Sequence, residues 1–211
     1  MAQSLKVVPI DQGASDPSFN AFRAKLLAAV ADRDIDAVVS AASEDIHLSF
    51  GGHNGRDDFR AFLVRDPATY SDEYRYRAAA DRVQYWTELE RVLRLGGRFE
   101  GDGADRSFLA PYSWGANIAD DLDPYTTAFI TGDGVALRAR PIRYAEVLIR
   151  LSHDVVSIVE GGDGTPYRKV QLADGTEGYV YQEYVQSLVG YRARFEQVDG
   201  RWQMTIFIAG D

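Results

Sequence analysis

The 211-residue chain carries 23 basic and 32 acidic side chains, a net charge of −9, with 45% hydrophobic residues and no cysteine. That composition suits a buried core and excludes a disordered chain. The charge opposes nucleic acid, because no face collects the basic residues. Lacking cysteine, the chain has no disulfide framework, no thiolate zinc site and no cysteine nucleophile, so it is not a cysteine peptidase. The length exceeds an average domain of about 100–150 residues, which suggests one domain plus a small module. No apolar run reaches the roughly 18 residues that cross a bilayer, since Asp32, Asp34 and Asp36 interrupt the most apolar early segment.

Residues 1–15 read as a loose lead-in, and their apolar run of Val7 to Ile10 is too short for a signal peptide. Ser15, Asp16 and Pro17 supply a cap and a first-turn proline, so a helix follows, with Phe19, Phe22, Leu26, Leu27 and Val30 on one face. A second short helix starts after Asp34, burying Ile35, Val38, Val39 and Ala42. From Asp45 to Phe50 the period changes to 2, and Gly51-Gly52 ends a half-buried strand. Asn54 and Gly55 form a turn, and Asp57 and Asp58 favour the positive end of the helix that carries Phe59, Phe62 and Leu63. A longer helix is expected over 82–95, with Val83, Trp86, Leu89, Val92 and Leu93 on its apolar face and Gly96-Gly97 as its stop. Phe99 and the segment 108–112 fit either edge strand or loop. The acidic, turn-rich segment 119–124 marks a boundary.

Beyond the boundary come five short strands, at 135–138, 147–149, 155–159, 167–172 and 176–180. Asp174-Gly175 makes a tight hairpin, and strands this closely spaced suggest a small barrel. The last segment is another hairpin, with Asp199-Gly200 at its turn and Trp202, Met204, Ile206 and Ile208 on one face. Two strands alone are barely stable in water, so 188–211 is expected to return to the first domain. The expected organisation is therefore 1–130 plus 188–211 as an α+β domain of helices and antiparallel sheet, with 131–187 inserted as the barrel.

Residues 135–141 (Val135, Ala136, Leu137, Arg138, Ala139, Arg140, Pro141) are followed by Tyr144 and Val147. Then come Tyr167, Arg168, Lys169 and Val170, next Gly175, and finally Gly178, Tyr179, Val180, Tyr184 and Val185. This ordered series resembles bacterial SH3 (SH3b) domains. The resemblance implies an SH3-like β-barrel of the kind attached to cell-wall enzymes or envelope proteins, where it binds peptidoglycan, positions a catalytic domain or packs against it. Ala139-Arg140 stands where members usually carry a small or polar pair, and Tyr167 replaces the usual tryptophan before the fourth strand. The flanking pieces, two helices, the strand into Gly51-Gly52 and the terminal Asp199 to Asp211 segment, are similar to parts of NTF2-like α+β domains.

Candidate chemistry is sparse. His47, His53 and Asp57 could assemble a two-histidine, one-carboxylate site, yet neither HxH nor HExxH spacing occurs, and solvated histidines are the plainer reading. His153 reads as a surface residue. Asp57 with Asp58, or Glu88 with Glu90, could serve as acid and base; helix capping and a wet helix face are the alternative. No GxSxG elbow and no phosphate loop is present, and no cofactor is implied.

The barrel surface is richer. Arg138, Arg140, Arg143 and Tyr144 cluster around its first loop, and Tyr167, Tyr181 and Tyr184 approach from other strands. Arginine clamps carboxylates, and tyrosine joins an apolar face to a hydrogen-bonding tip. The alternative is that Tyr179 and Tyr184 fill the core while the arginines meet the acidic first domain, where residues 1–130 carry 14 basic and 21 acidic side chains.

The expected function is a noncatalytic binding or accessory protein of the bacterial envelope that recognises a peptidoglycan fragment or a protein partner. It would be periplasmic or envelope-associated if this is the mature form of an exported protein, and cytoplasmic otherwise. The alternative is a hydrolase, lyase or isomerase with a carboxylate and histidine pocket in the α+β domain, gated by the barrel.

Overall fold

A computed structural model describes residues 5–116 and 122–210. In chain order the regular elements are α1 (Pro17–Ala31), α2 (Ile35–Ser40), β1 (Ala42–His47), α3 (Gly55–Val64), α4 (Ala78–Arg94), β2 (Arg98–Glu100) and β3 (Ser107–Ala110). There follow β4 (Thr127–Ile130), β5 (Val135–Arg138), β6 (Val147–Leu151), β7 (Val155–Ile158), β8 (Tyr167–Gln171), β9 (Glu177–Tyr181), β10 (Val185–Ser187), β11 (Arg192–Val198) and β12 (Arg201–Ile208). The protein is a mixed α+β chain with two sheets, and it divides into two compact units. One comprises Ile10–Trp114 and Tyr191–Asp211; the other comprises Met1–Pro9 and Gly115–Gly190. The acidic segment expected to mark the boundary lies outside the described residues over 119–121.

The first unit builds its helices from local capping. The Asp16 carboxylate accepts the N–H groups of Ser18 and Phe19 at 2.9 and 3.0 Å, and Pro17 opens α1 where its missing N–H costs nothing. Asp34 does the same for α2, accepting from the Ala37 amide at 3.0 Å. α4 starts four residues before the expected position, and Val83 is exposed instead of joining Trp86, Leu89, Val92 and Leu93 in the core.

The sheet of this unit runs β1-β12-β11-β3-β2. The C-terminal hairpin lies inside it: β12 pairs in parallel with β1, and β11 pairs antiparallel with β3. Asp199 and Gly200 both take positive φ, 52° and 74°, the backbone that a tight hairpin of this kind requires. The 98–110 segment resolves into β2 and β3, and β3 is an interior strand buried at every position. β1 begins at Ala42 and ends at His47, earlier than the alternation suggested. Phe50 is exposed in the turn that follows. Phe19, fully buried, is the aromatic hub of the core, with Phe108, Trp202, Phe99 and Phe195 at 4.2–5.6 Å between ring centroids.

The second unit contains the seven-stranded sheet, in the order β10-β4-β7-β8-β9-β5-β6. That sheet holds two strands beyond the five expected, and β4, pairing with β7 and β10, brings in residues 127–130. Its core is small and aliphatic: Ala128, Ile130, Val135, Leu137, Leu151, Val156, Val170, Val180 and Val185. Tyr179 and Tyr184 stand outside that core, because valines and leucines already occupy it.

The lead-in is not loose over its described part. Residues 5–7 run antiparallel to the β6–β7 turn, with the Val155 amide donating to Leu5 O (2.8 Å) and the Val7 amide to His153 O (2.9 Å). Lys6 reaches the buried Asp154 at 3.2 Å. In the first unit, Asp11 pairs with Arg23 through two bonds, and Gln12 bonds Gly97 and Phe99. Polar anchors the hydrophobic pattern could not reveal therefore hold both halves of the lead-in. No helix among the described residues is long and apolar enough to cross a membrane.

Candidate functional site: a tyrosine and arginine groove

The seven-stranded unit carries a pronounced concavity. It is an open groove of about 970 Å³ whose lining includes residues 132–136, Arg138, residues 141–144, Arg150, Pro166, Tyr167, Tyr181 and Tyr184. Its construction follows from strand alternation. On β5, Val135 and Leu137 point to the core, which turns Ala136 and Arg138 outward along the groove. Arg150 of β6 stands opposite Ala136 in register, so it lies on the same side. From the other direction, Tyr167 and Tyr181 are cross-strand partners on β8 and β9, with ring centroids 5.5 Å apart, edge to face. Tyr184 extends that row, 6.5 Å from Tyr181. Tyr144, on the loop after β5, also belongs to the lining and is 89% exposed.

The polar groups are held unequally. Arg138 donates to the Ala145 carbonyl at 3.0 Å, and Arg150 to the Gly134 carbonyl at 2.6 Å, so two of the three arginines are fixed by backbone. Arg143 is exposed and sits 5.9 Å over the Tyr144 ring. Asp133, the single acidic residue of the lining, faces His153 Nε2 at 3.2 Å. That His153 is no simple surface residue: its side chain is 16% exposed, its φ is +60°, and its Nδ1 is buried without a hydrogen-bond partner among the described residues.

Of the six residues that the sequence nominated for ligand contact, Arg138, Arg143, Tyr144, Tyr167 and Tyr181 line the groove. Arg140 is exposed and is not part of the lining. Sequence reasoning missed Arg150, Asp133, Ile142 and Pro166. Arg150 was within reach, because pairing β5 with β6 puts it beside Ala136; Pro166 and Asp133 come from loops whose course no periodicity encodes.

The histidine and carboxylate candidates of the other unit behave differently. His47 is half-buried and meets Phe50 edge to face at 5.8 Å. The exposed His53 lies 3.5 Å from the half-buried Asp58, and Asp57 is an exposed residue of the first turn of α3. Asp58 accepts the Asn54 amide at 2.9 Å, which is a helix-entry role. Among the described residues no three His, Asp or Glu side chains converge as metal ligands would. Glu88 and Glu90 do not form a pair, because residues two apart on a helix face different ways. Glu90 bonds Arg94 at 2.9 Å, while Glu88 turns inward toward Arg91 at 3.9 Å.

Around Glu88 the chain collects polar groups at the edge of its core. Burial pushes the Glu88 carboxyl above its ordinary pKa, against the opposing pull of Arg91. Tyr85 and Tyr112 are both buried, and their hydroxyls lack hydrogen-bond partners among the described residues; burial raises the pKa of each. Tyr191 stacks on Phe207 at 4.8 Å and meets Tyr85 at 5.7 Å.

No protein-family model matches the chain, and no curated protein matches it.

Proposed function

We propose that the chain is a noncatalytic binding or accessory protein of the bacterial envelope, and that the groove takes a cell-wall peptide or glycan fragment. On this reading the seven-stranded unit is an SH3-like module of the SH3b kind, and the other unit is an NTF2-like scaffold. The observation that carries the reading is the convergence of five sequence-nominated arginines and tyrosines on one groove of about 970 Å³. That volume falls within the range of small-molecule and short-peptide sites, about 300–1,000 Å³. Tyrosine faces suit sugar rings and peptide planes, and arginine forks suit carboxylates. Groove residues such as Tyr144 and Arg143 are exposed and outside the core, so contact with a ligand accounts for them more naturally than stability does. Envelope placement rests on the SH3b resemblance.

Sedimentation with purified sacculi tests the proposal. The protein should pellet at low salt and Tyr144→Ala should leave it in the supernatant; a wild-type protein that stays in the supernatant ends the wall-binding reading. A protein partner for the same groove is the outcome to pursue in that case.

One observation favours the second reading, an acid–base enzyme in the five-stranded unit: Glu88 has its pKa raised by burial and lies in the polar group formed with Arg91, Tyr85 and Tyr191. Perturbed carboxyls of this kind concentrate at catalytic sites, although structural ion pairs produce them too. The histidines named from sequence do not join that cluster.

A further inference from the structure

We infer that the groove selects ligands by a carboxylate, and that Arg143 is the residue that meets it; this deepens the wall-ligand reading and rests on it for the identity of the ligand alone. The charge census of the lining is three arginines against one aspartate, inside a protein of net charge −9. A positive recess on an acidic protein is a local arrangement. At ionic strengths near 0.15 M the remote acidic residues are screened beyond about 8 Å, whereas a carboxylate in the groove meets the arginines at contact. Local charge therefore decides which ligands enter.

The hydrogen-bonding capacity points the same way. Arg138 and Arg150 each use a guanidinium N–H on a backbone carbonyl, which fixes them and leaves their other donors for the groove. Asp133, the one acidic group of the lining, lies 3.2 Å from His153 Nε2 and is outnumbered by the three arginines. Arg143 is exposed, lies on the loop between β5 and β6, and has the Tyr144 ring beneath it at 5.9 Å. Arginine in that position presents its planar fork to a carboxylate while the ring backs its other face. The row Tyr167, Tyr181 and Tyr184 then lies along the groove for the flat or aliphatic body of the same ligand. The ligand class is thus a short peptide or glycopeptide bearing a free carboxylate next to an apolar or planar group.

The test uses the full chain and two probe pairs, each titrated calorimetrically as free acid and as carboxamide. The first pair is a soluble disaccharide-tripeptide from cell wall; the second is acetyl-Ala-Ala-Ala. The free acid of the wall probe should bind roughly tenfold more tightly than its amide, the scale of one charge-assisted hydrogen-bonding contact. Arg143→Gln should close that gap, and Arg140→Gln, outside the lining, should leave it intact. Both residues are exposed, so neither variant threatens folding. Equal binding of acid and amide overturns the carboxylate inference and leaves the wall reading standing. Preference for the acid in the alanine pair without binding of either wall probe keeps the inference and removes the wall reading. Failure of all four probes to bind overturns both.

Discussion

Tyr167 and Tyr181 face each other across β8 and β9 with their rings edge to face at 5.5 Å, yet they stand in different environments. Tyr167 is 9% exposed and contributes to the fold as well as to the groove wall, while Tyr181 is half-buried. Tyr167→Ala should therefore destabilise the protein by about 3 kcal/mol, in the range for truncating a buried aromatic. Tyr181→Ala should cost about 1 kcal/mol and act mainly on ligand affinity. Urea unfolding beside a binding titration separates the two; equal stability losses would mean that Tyr181 is core and not groove.

Asp16 links helix capping to acid stability. Its pKa is lowered to about 2, first by the Ser18 hydroxyl and the Phe19 amide, and also by Arg106, which it meets at 2.6 Å; partial burial opposes them. A folded pKa below the ordinary value of about 3.9 means stability that is present above that value and lost as pH falls toward 2. Asp16→Asn retains a capping oxygen and removes the charge, so it should flatten the decline in melting temperature between about pH 4 and pH 2. Asp16→Ala should lose about 1 kcal/mol at pH 7 as well. An unaltered acid limb in Asp16→Asn would show that other carboxylates govern acid unfolding.

Glu88 has the opposite sign. Burial raises its folded pKa, so the folded state holds the proton more tightly, and its contribution declines as pH rises through the folded value. Glu88→Gln should raise the melting temperature at pH 7, and the gain should vanish toward pH 4. Destabilisation at pH 7 would mean that the Arg91 contact at 3.9 Å outweighs burial.

Gly97 precedes β2 where the chain passes close to β3. A Cβ there would collide with the Leu109 carbonyl and come within 2.8 Å of the Phe108 ring, and backbone cannot yield as a flexible side chain can. Gly97→Ala should cost about 2 kcal/mol or more, the range of overpacking. Thermal unfolding checks it, and a loss below about 0.5 kcal/mol would show that the β2–β3 edge shifts freely.

What the sequence disclosed follows from the range of each signal. Caps and periodicity are local, so Asp16 with Pro17, Asp34 and the Asp199-Gly200 turn announced their elements directly. The terminal hairpin was legible through its apolar face, since Trp202 and Met204 needed a sheet to bury them. β3 was not, because residues 107–110 are buried at every position and show no alternation to distinguish strand from loop. The lead-in was missed because its anchors, Asp11 to Arg23 and Lys6 to Asp154, are polar and distant in sequence. Five of the six residues nominated for ligand contact lie in the groove because arginine and tyrosine cluster around one loop; Arg140 fell outside because an exposed loop fixes no direction for its side chains.

The groove is the centre of the account, and chemical-shift mapping of the isotopically labelled full chain tests it most directly. On titration with the wall disaccharide-tripeptide, amide shifts should concentrate at Gly132–Ala136, Arg138, Ile142–Tyr144, Arg150, Tyr167, Tyr181 and Tyr184, and Tyr144→Ala should abolish them. Saturable shifts centred on Glu88, Tyr85 and Tyr191, with the groove amides unmoved, would contradict it.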